Sequence, residues 1–410
     1  MLNQSFDEKT LLKLTTKKEI INFKLGRNTS EYIESLKSIA EKINSDSFSF
    51  STISSFQYNG KIIYTTNSAE ECYTIKKISD NIKRLYKINF SSKEDIVNQV
   101  INILSDTSSY RVFRLDVKEF FESIDFKSVL AKLSADNILS NSSLSKLHNL
   151  RQQLPSYFLG LPRGLAISSV LAELYMEEID NIIRSEIGIY FYARYVDDMI
   201  IVLHDENIDM TYFEKIFSNK KLSLNNKSIE LNIPSVNHSD NTYNFNFLGY
   251  TYLIHNTTDD DGFRKITVDI STKKQKKIKT RIIQSILAYS RDHNDELLIK
   301  RIKFLSGNYS VNINNDFQKK YSEEDGSILK GGIYYNNKFI NTEVNLSTLN
   351  DFIKKLLFCK KKNSIGKAVQ KVPISTRRIL ISHCFVSGHF NAIFHDFTSS
   401  EIKEINKCWR

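Results

Sequence analysis

Tyr190-Phe191-Tyr192-Ala193-Arg194-Tyr195-Val196-Asp197-Asp198-Met199-Ile200-Ile201-Val202-Leu203 reads as two β-prone runs, 190–195 and 199–203, folded about a pair of adjacent acids. Aromatic and β-branched residues suit a pleated, half-buried surface, where charge is disfavoured. Consecutive carboxylates at the junction repel each other, so a local rule is broken where a divalent cation would repair it. A hairpin with an acidic tip is therefore expected. An isolated acid pair at a turn is more often simply solvated, so a chemical role requires a companion elsewhere in the chain.

That companion lies upstream. Asp116 sits in Val112-Phe113-Arg114-Leu115-Asp116-Val117-Lys118-Glu119-Phe120-Phe121, an acid embedded in an apolar strand where unpaired burial is unfavourable. A fold that sets this strand beside the hairpin brings Asp116 to Asp197 and Asp198. Mg²⁺ prefers one or two carboxylates completed by phosphate oxygens, and paired ions serve the attacking and leaving oxygens of an in-line displacement. The pattern points to phosphoryl-transfer chemistry.

Around these segments the hydrophobic period alternates between helix and strand. Residues 30–45 are predicted helical after a cap at Thr29. Phe48 to Tyr73 alternates polar with apolar residues around Asn59-Gly60, a strong hairpin signal, and a helix follows from Ile75 to Tyr86. Val112 to Val117 is a strand, with helices to about Leu154. A Gly/Pro loop at Gly160 to Gly164 precedes a long helix from Leu165 to Ser185. A helix near Thr211 to Phe217 leads to strands Phe245 to Ile254 and Phe263 to Ile270, after which the chain is mostly helical. Asn/Ser-rich stretches near 140 and 310 are expected as loops. This order suits an α+β fold, an antiparallel sheet with helices packed on one face.

Composition narrows the class. Hydrophobic residues make up 41% and charged residues 25%, enough for globular cores, and no apolar run approaches the roughly 20 residues of a membrane span. The first 18 residues lack the apolar block of a secretory signal, so a cytoplasmic location is expected. Cys72, Cys359, Cys384 and Cys408 stand far apart, which suits reduced thiols rather than a zinc site. His383, His389 and His395 form no recognisable ligand set. Charge is uneven: residues 264–410 carry 28 Lys and Arg against 13 Asp and Glu, a net of +15, whereas residues 1–263 carry 29 against 34, a net of −5. A basic terminal third on a mildly acidic body suits a phosphate backbone as partner.

The motif series carries a family resemblance. Asp116 to Phe121, Leu161-Pro162-Arg163-Gly164-Leu165-Ala166-Ile167-Ser168, Tyr195-Val196-Asp197-Asp198, Leu222-Ser223-Leu224-Asn225-Asn226-Lys227 and Phe247-Leu248-Gly249-Tyr250 resemble, in this order over about residues 80 to 255, the palm motifs of reverse transcriptases. The resemblance implies right-hand polymerase fingers and palm followed by a mostly α-helical C-terminal domain. Its expected boundaries are an N-terminal extension and fingers at 1–110, the palm at 111–270, and a basic, thumb-like helical domain at 271–410. It implies catalytic roles for Asp116, Asp197, Asp198 and Lys227. Asp116, Asp197, Asp198 and the Val117 carbonyl would hold two Mg²⁺ ions, with Mn²⁺ as an alternative. Phe121 would be the aromatic gate against a ribose 2′-hydroxyl. Pro162, Arg163, Gly164 and Ser168 would line the nucleotide, and Lys83, Arg84 and Lys93 would supply cations for its triphosphate. Phe247, Leu248, Gly249 and Tyr250 would form the primer grip, and Lys227 would protonate departing pyrophosphate.

Retron and group II intron enzymes usually carry Gln where this chain has Arg163. That departure, with Ala172-Glu173-Leu174-Tyr175, resembles bacterial abortive-infection and other anti-phage defence reverse transcriptases, as do Arg301 to Tyr309, Gly332 to Tyr335 and Ile405 to Trp409. The implied partners are dNTPs, a DNA product and an RNA, either template or non-coding scaffold; no membrane is implied, and a homo-oligomer is compatible. RNA-templated DNA synthesis leads, with template-independent or protein-primed synthesis by the same site and a non-catalytic RNA-binding scaffold as alternatives.

Overall fold

The computed structural model describes residues 2–204, 207–311, 329–360 and 362–409. They fall into two compact units, Met1–Ile96 with Ser109–Ile233, and Val97–Ser108 with Pro234–Arg410. The first holds strands β1 (Ser54–Tyr58), β2 (Lys61–Thr65), β3 (Tyr110–Asp116), β4 (Ile189–Tyr195), β5 (Asp198–Leu203) and β6 (Ile229–Ile233). β1 and β2 pair about Asn59-Gly60, whose φ values of 50° and 74° are those a two-residue I′ turn demands.

The other four strands form one antiparallel sheet in the order β4-β5-β3-β6. Side chains alternate across a strand, so each strand presents two different faces. Phe113, Leu115, Met199, Ile201 and Leu203 point into a core shared with the helices of this unit. Among those helices, Ala166–Ser185 buries Ile167, Val170, Leu171, Leu174, Ile179 and Ile183 at helical spacing. Arg114, Asp116 and Asp198 fall on the opposite face by the same alternation. The acids therefore stand on the side away from the helical core, on strands whose inner faces are fixed by burial.

The second unit contains β7 (Thr242–Phe247), β8 (Tyr250–Thr258) and β9 (Arg264–Ile270) as an antiparallel sheet, and β10 (Asn308–Val311) paired with β11 (Leu329–Gly332). Helices Thr272–Asp292, Asp295–Ser306 and Val344–Leu357 supply much of its core through Ile282, Ile286, Leu298, Ile302, Leu349 and Ile353. Arg264 is buried and donates to the carbonyls of Asp106, Thr107, Ser108 and Pro234, which fastens the early segment 97–108 into this unit.

Several local expectations are corrected. Helix Thr29–Asn44 is capped by Asn28, whose side chain accepts from the Glu31 amide, not by Thr29. The Asn/Ser-rich stretch near 140 is helix Asn141–Gln152 with Ser140 as its cap, because a serine followed by apolar Leu144, Leu147 and Leu150 starts a helix better than it ends one. The alternating stretch ending at Tyr73 gives way to helix at Ala69, where Ser68 and Glu71 make a capping box. The single strand expected from Phe245 to Ile254 is broken at Leu248-Gly249 into β7 and β8. β6 was not expected. Near 310 the chain enters β10, and the residues after Val311 that the loop expectation covered lie outside the described residues.

Candidate active site

In the register of the sheet Asp116, the last residue of β3, is directly opposite Asp198, the first of β5. Tyr195 pairs with Asp198, so Val196 and Asp197 make a two-residue turn. Val196 has φ of 59°, as the first position of a II′ turn requires. A β-branched residue in that region is strained, and such strain persists only where surrounding contacts impose it.

Here the imposing contact is Arg194. Its buried guanidinium donates to the Val196 carbonyl at 3.1 Å and forks onto Asp180 and Glu173 of the long helix. Sequence reasoning missed this residue. An arginine in a strand of that composition was itself the signal.

Arg114, on the same face of β3 as Asp116, reaches both Asp116 and Asp198. One guanidinium nitrogen donates to Asp198 and lies 3.9 Å from Asp116 Oδ2, while the other donates to the Lys227 carbonyl at 3.1 Å. Burial holds the Asp197 carboxyl above its ordinary range, and the charges of Asp198 and Asp116 push it the same way against the opposing influence of Arg163. Asp198, Asp116 and Arg163 therefore all lie within electrostatic reach of Asp197.

Among the described residues no three His, Cys, Asp or Glu side chains group as a complete metal cage. The donor set still fits Mg²⁺, which takes few protein carboxylates and leaves positions for phosphate and water. Asp116 and Asp197 supply hard oxygens. Val117 forms a bridge with Leu224 that is closed by the Lys118 amide and the Asp116 carbonyl, so the Val117 carbonyl takes no part in it. If Arg114 balances the acids when no ion is bound, Arg114→Gln should lower stability in chelator by about 1–3 kcal/mol, with a smaller loss in Mg²⁺. Thermal melts in the two buffers measure the difference, and equal losses in both would refute the counter-ion role.

The fourth motif is tied to the same strand. The Lys118 amide donates to the Ser223 carbonyl of its turn, the Asn225 amide of the turn donates to the Asp116 carbonyl, and the Ser228 hydroxyl accepts the Asp116 amide at 3.2 Å. Lys227 is exposed beside that turn.

Phe121 packs edge-on against buried Phe120, with ring centroids 5.3 Å apart, and carries the Arg163 guanidinium 4.9 Å from its centroid. Arg163 also forks onto Glu122. The loop is sewn to this segment by the Leu161 amide on the Phe121 carbonyl, 2.7 Å, and the Phe126 amide on the Leu159 carbonyl, 3.0 Å. The Tyr64 amide of β2 donates to the Arg163 carbonyl at 2.7 Å, which docks the first hairpin on the loop. Gly164 has φ of 104°, and a Cβ there would lie 2.6 Å from the Tyr64 carbonyl oxygen. At Gly160 a Cβ would meet the Glu122 backbone at 2.5 Å, so Gly160→Ala is expected to destabilise the first unit by roughly 1–3 kcal/mol in urea unfolding. An unchanged midpoint would contradict the tight approach. Ser168 is buried, and its hydroxyl donates to the Pro162 carbonyl at 2.6 Å, so its side chain shapes the loop.

Of the expected triphosphate cations, Lys93 is half-buried, its ammonium lowered by desolvation while Asp198 opposes the shift. Lys83 and Arg84 have local neighbours instead, the Phe90 ring at 5.2 Å and Asp80 at 3.8 Å. Burial raises the Glu122 carboxyl, but Arg163 holds it below the ordinary range, with a smaller contribution from Lys61, which follows the hairpin tip and which sequence reasoning passed over. Its place directly after Asn59-Gly60 was the available signal.

Phe247 to Tyr250 lies in the second unit. Leu248 and Gly249 take φ of 46° and 80° between β7 and β8, the pattern of a I′ turn. Lys274 crosses it, with its ammonium 4.6 Å from the Tyr250 ring centroid.

No curated protein matches the chain. Among solved structures it is similar to apo telomerase from Candida tropicalis truncated from the C-terminal domain, at 13% identity over 61% of this chain and 60% of that one, TM-score 0.37. Telomerase from Candida albicans in complex with a TWJ fragment of telomeric RNA is similar at 13% identity over 93% of this chain and 68% of that one, TM-score 0.37. The chain thus spans about 60% of the first of these. No described helix is long and apolar enough to cross a membrane. The family model for reverse transcriptase (RNA-dependent DNA polymerase) matches residues 24–252, more than half of the sequence and the whole of the motif series, and the chain belongs to that family.

Proposed function

We propose that the protein is an RNA-directed DNA polymerase that extends a primer with dNTPs by two-metal phosphoryl transfer. The observation that carries this reading is the register of the sheet, with Asp116 opposite Asp198 and Asp197 in the adjoining turn. Bound between these carboxylates, the Val117 carbonyl and the substrate phosphates, divalent ions would supply charge neutralisation for the attacking and leaving oxygens. The remaining work falls to the chain itself. Lys93 and Lys61 offer cations to the triphosphate, Phe121 limits room at the sugar 2′ position, and Lys227 donates a proton to departing pyrophosphate. Leu165 caps the long helix without a side-chain oxygen, and with the Ser168 amide donated to the Leu165 carbonyl it is the Ala166 and Ile167 amides that would face an anion beside Pro162 to Gly164. The Phe247 to Tyr250 turn seats the primer end, and the +15 terminal segment holds duplex phosphates.

The Arg163 variant of the second motif supports a place among bacterial anti-phage defence enzymes, working in the cytoplasm with a non-coding RNA. Purified protein and its co-purifying RNA, incubated with labelled dNTPs and Mg²⁺, should yield DNA complementary to that RNA. Product of random sequence, or DNA left attached to protein after denaturation, would replace templated copying by untemplated or protein-primed synthesis. No product at all would defeat the polymerase reading.

A further inference from the structure

We propose that Arg163 is a positioning residue for Phe121, holding the ring in place through Glu122 and thereby setting the preference for deoxynucleotides over ribonucleotides. The inference rests on the polymerase reading and adds the device that makes its sugar filter stiff. An aromatic ring rejects a 2′-hydroxyl only to the extent that it cannot swing away, because a mobile ring yields to the extra oxygen.

Phe121 is confined from two directions. The buried Phe120 ring meets it edge-on at 5.3 Å, and the Arg163 guanidinium lies 4.9 Å from its centroid. The guanidinium is itself aimed by Glu122, the residue after Phe121, whose two oxygens accept from Nε and Nη2 at 3.1 Å each. A planar fork gripped at two points has little rotational freedom, which a lysine ammonium cannot reproduce. The backbones are locked as well, by the Leu161 amide on the Phe121 carbonyl at 2.7 Å and by Gly160 against Glu122. Ring, fork and carboxylate thus form one closed unit, with Arg163 also within electrostatic reach of Asp197.

Single-nucleotide incorporation measured separately with dGTP and GTP tests the proposal on wild type, Arg163→Gln, Arg163→Lys, Glu122→Gln and Phe121→Ala. In Arg163→Gln the ratio of deoxy- to ribonucleotide kcat/KM should fall by about tenfold, carried by a lower KM for GTP. Glu122→Gln should move the ratio in the same direction by a smaller factor, and Arg163→Lys should fail to restore it. Arg163→Gln combined with Phe121→Ala should discriminate no worse than Phe121→Ala alone, since a gate already removed has nothing left to hold. Equal losses for dGTP and GTP in Arg163→Gln and Glu122→Gln, or additive effects in the double variant, would overturn the role of Arg163 and mark it as a direct nucleotide contact. A wild type that incorporates neither nucleotide would instead overturn the polymerase reading itself, and the gate with it.

Discussion

Asp197→Ala is expected to reduce dNTP incorporation by on the order of 10³-fold or more while leaving the protein folded and, in chelator at neutral pH, more stable than wild type. The two effects share one cause. Asp197 sits in a strained turn where burial and the charges of Asp198 and Asp116 hold its carboxyl above the ordinary range. For a group whose folded-state pKa is raised, the folded state binds the proton more tightly than the unfolded chain. Its favourable contribution is complete below the ordinary Asp pKa and disappears as pH rises through the folded value, so the ionised carboxylate is a liability at neutral pH without a metal. Alanine removes that liability. The stability gain in chelator should therefore shrink as pH is lowered through the Asp range, and Mg²⁺ should raise the melting temperature of wild type more than that of the variant. Asp116→Ala should lose activity to a similar degree. Asp198, already bonded to Arg114, should matter less. Incorporation by Asp197→Ala at the wild-type rate would eliminate the proposed mechanism.

The part of this site that was legible in the sequence is the part governed by local rules. Strand propensity on both sides of Val196-Asp197-Asp198 gave the hairpin, and one acid among apolar residues marked the strand that β5 joins. β6 was hidden because it is a short edge strand in which Glu230 and Asn232 interrupt the apolar pattern. Those residues are explained only by Arg111 of the neighbouring strand, to which both bond. The partner of Arg163 belongs to the same class: Arg163 stood out as a residue of the second motif, but no period in the sequence encodes Glu122, 41 residues away, as the carboxylate it forks onto. The break between β7 and β8 was legible in Gly249, which permits the left-handed turn, although apolar and aromatic residues on both sides of it suggested one continuous strand from Phe245 to Ile254.

Arg194→Leu is expected to destabilise the first unit by about 3–5 kcal/mol, the largest loss in stability for any single change at this site. Arg194 is only 8% exposed and neutralises two acids two turns apart on the helix Ala166–Ser185. Asp180 receives Nε at 2.9 Å and Nη2 at 2.6 Å together with the Tyr192 hydroxyl at 2.7 Å, and Glu173 receives Nη1 at 3.0 Å and Nη2 at 2.7 Å. These bonds hold the guanidinium pKa above its already high ordinary value despite burial, so no accessible pH discharges it. Leucine leaves both carboxylates without their cation, and lysine cannot make the forked contacts to Asp180 and Glu173 together. The Val196 carbonyl also loses its donor, which releases the strained turn and lets Asp197 depart from its position. Urea unfolding should show the lower midpoint, and dNTP incorporation should fall even where the variant remains folded. The triple change Arg194→Met, Glu173→Leu, Asp180→Leu should recover most of the stability, because burying no charges avoids the desolvation that the native network must offset. It should not recover activity, since methionine offers Val196 no hydrogen-bond donor. If the triple variant polymerises as well as wild type, the turn is held by its own strands and Arg194 serves stability alone.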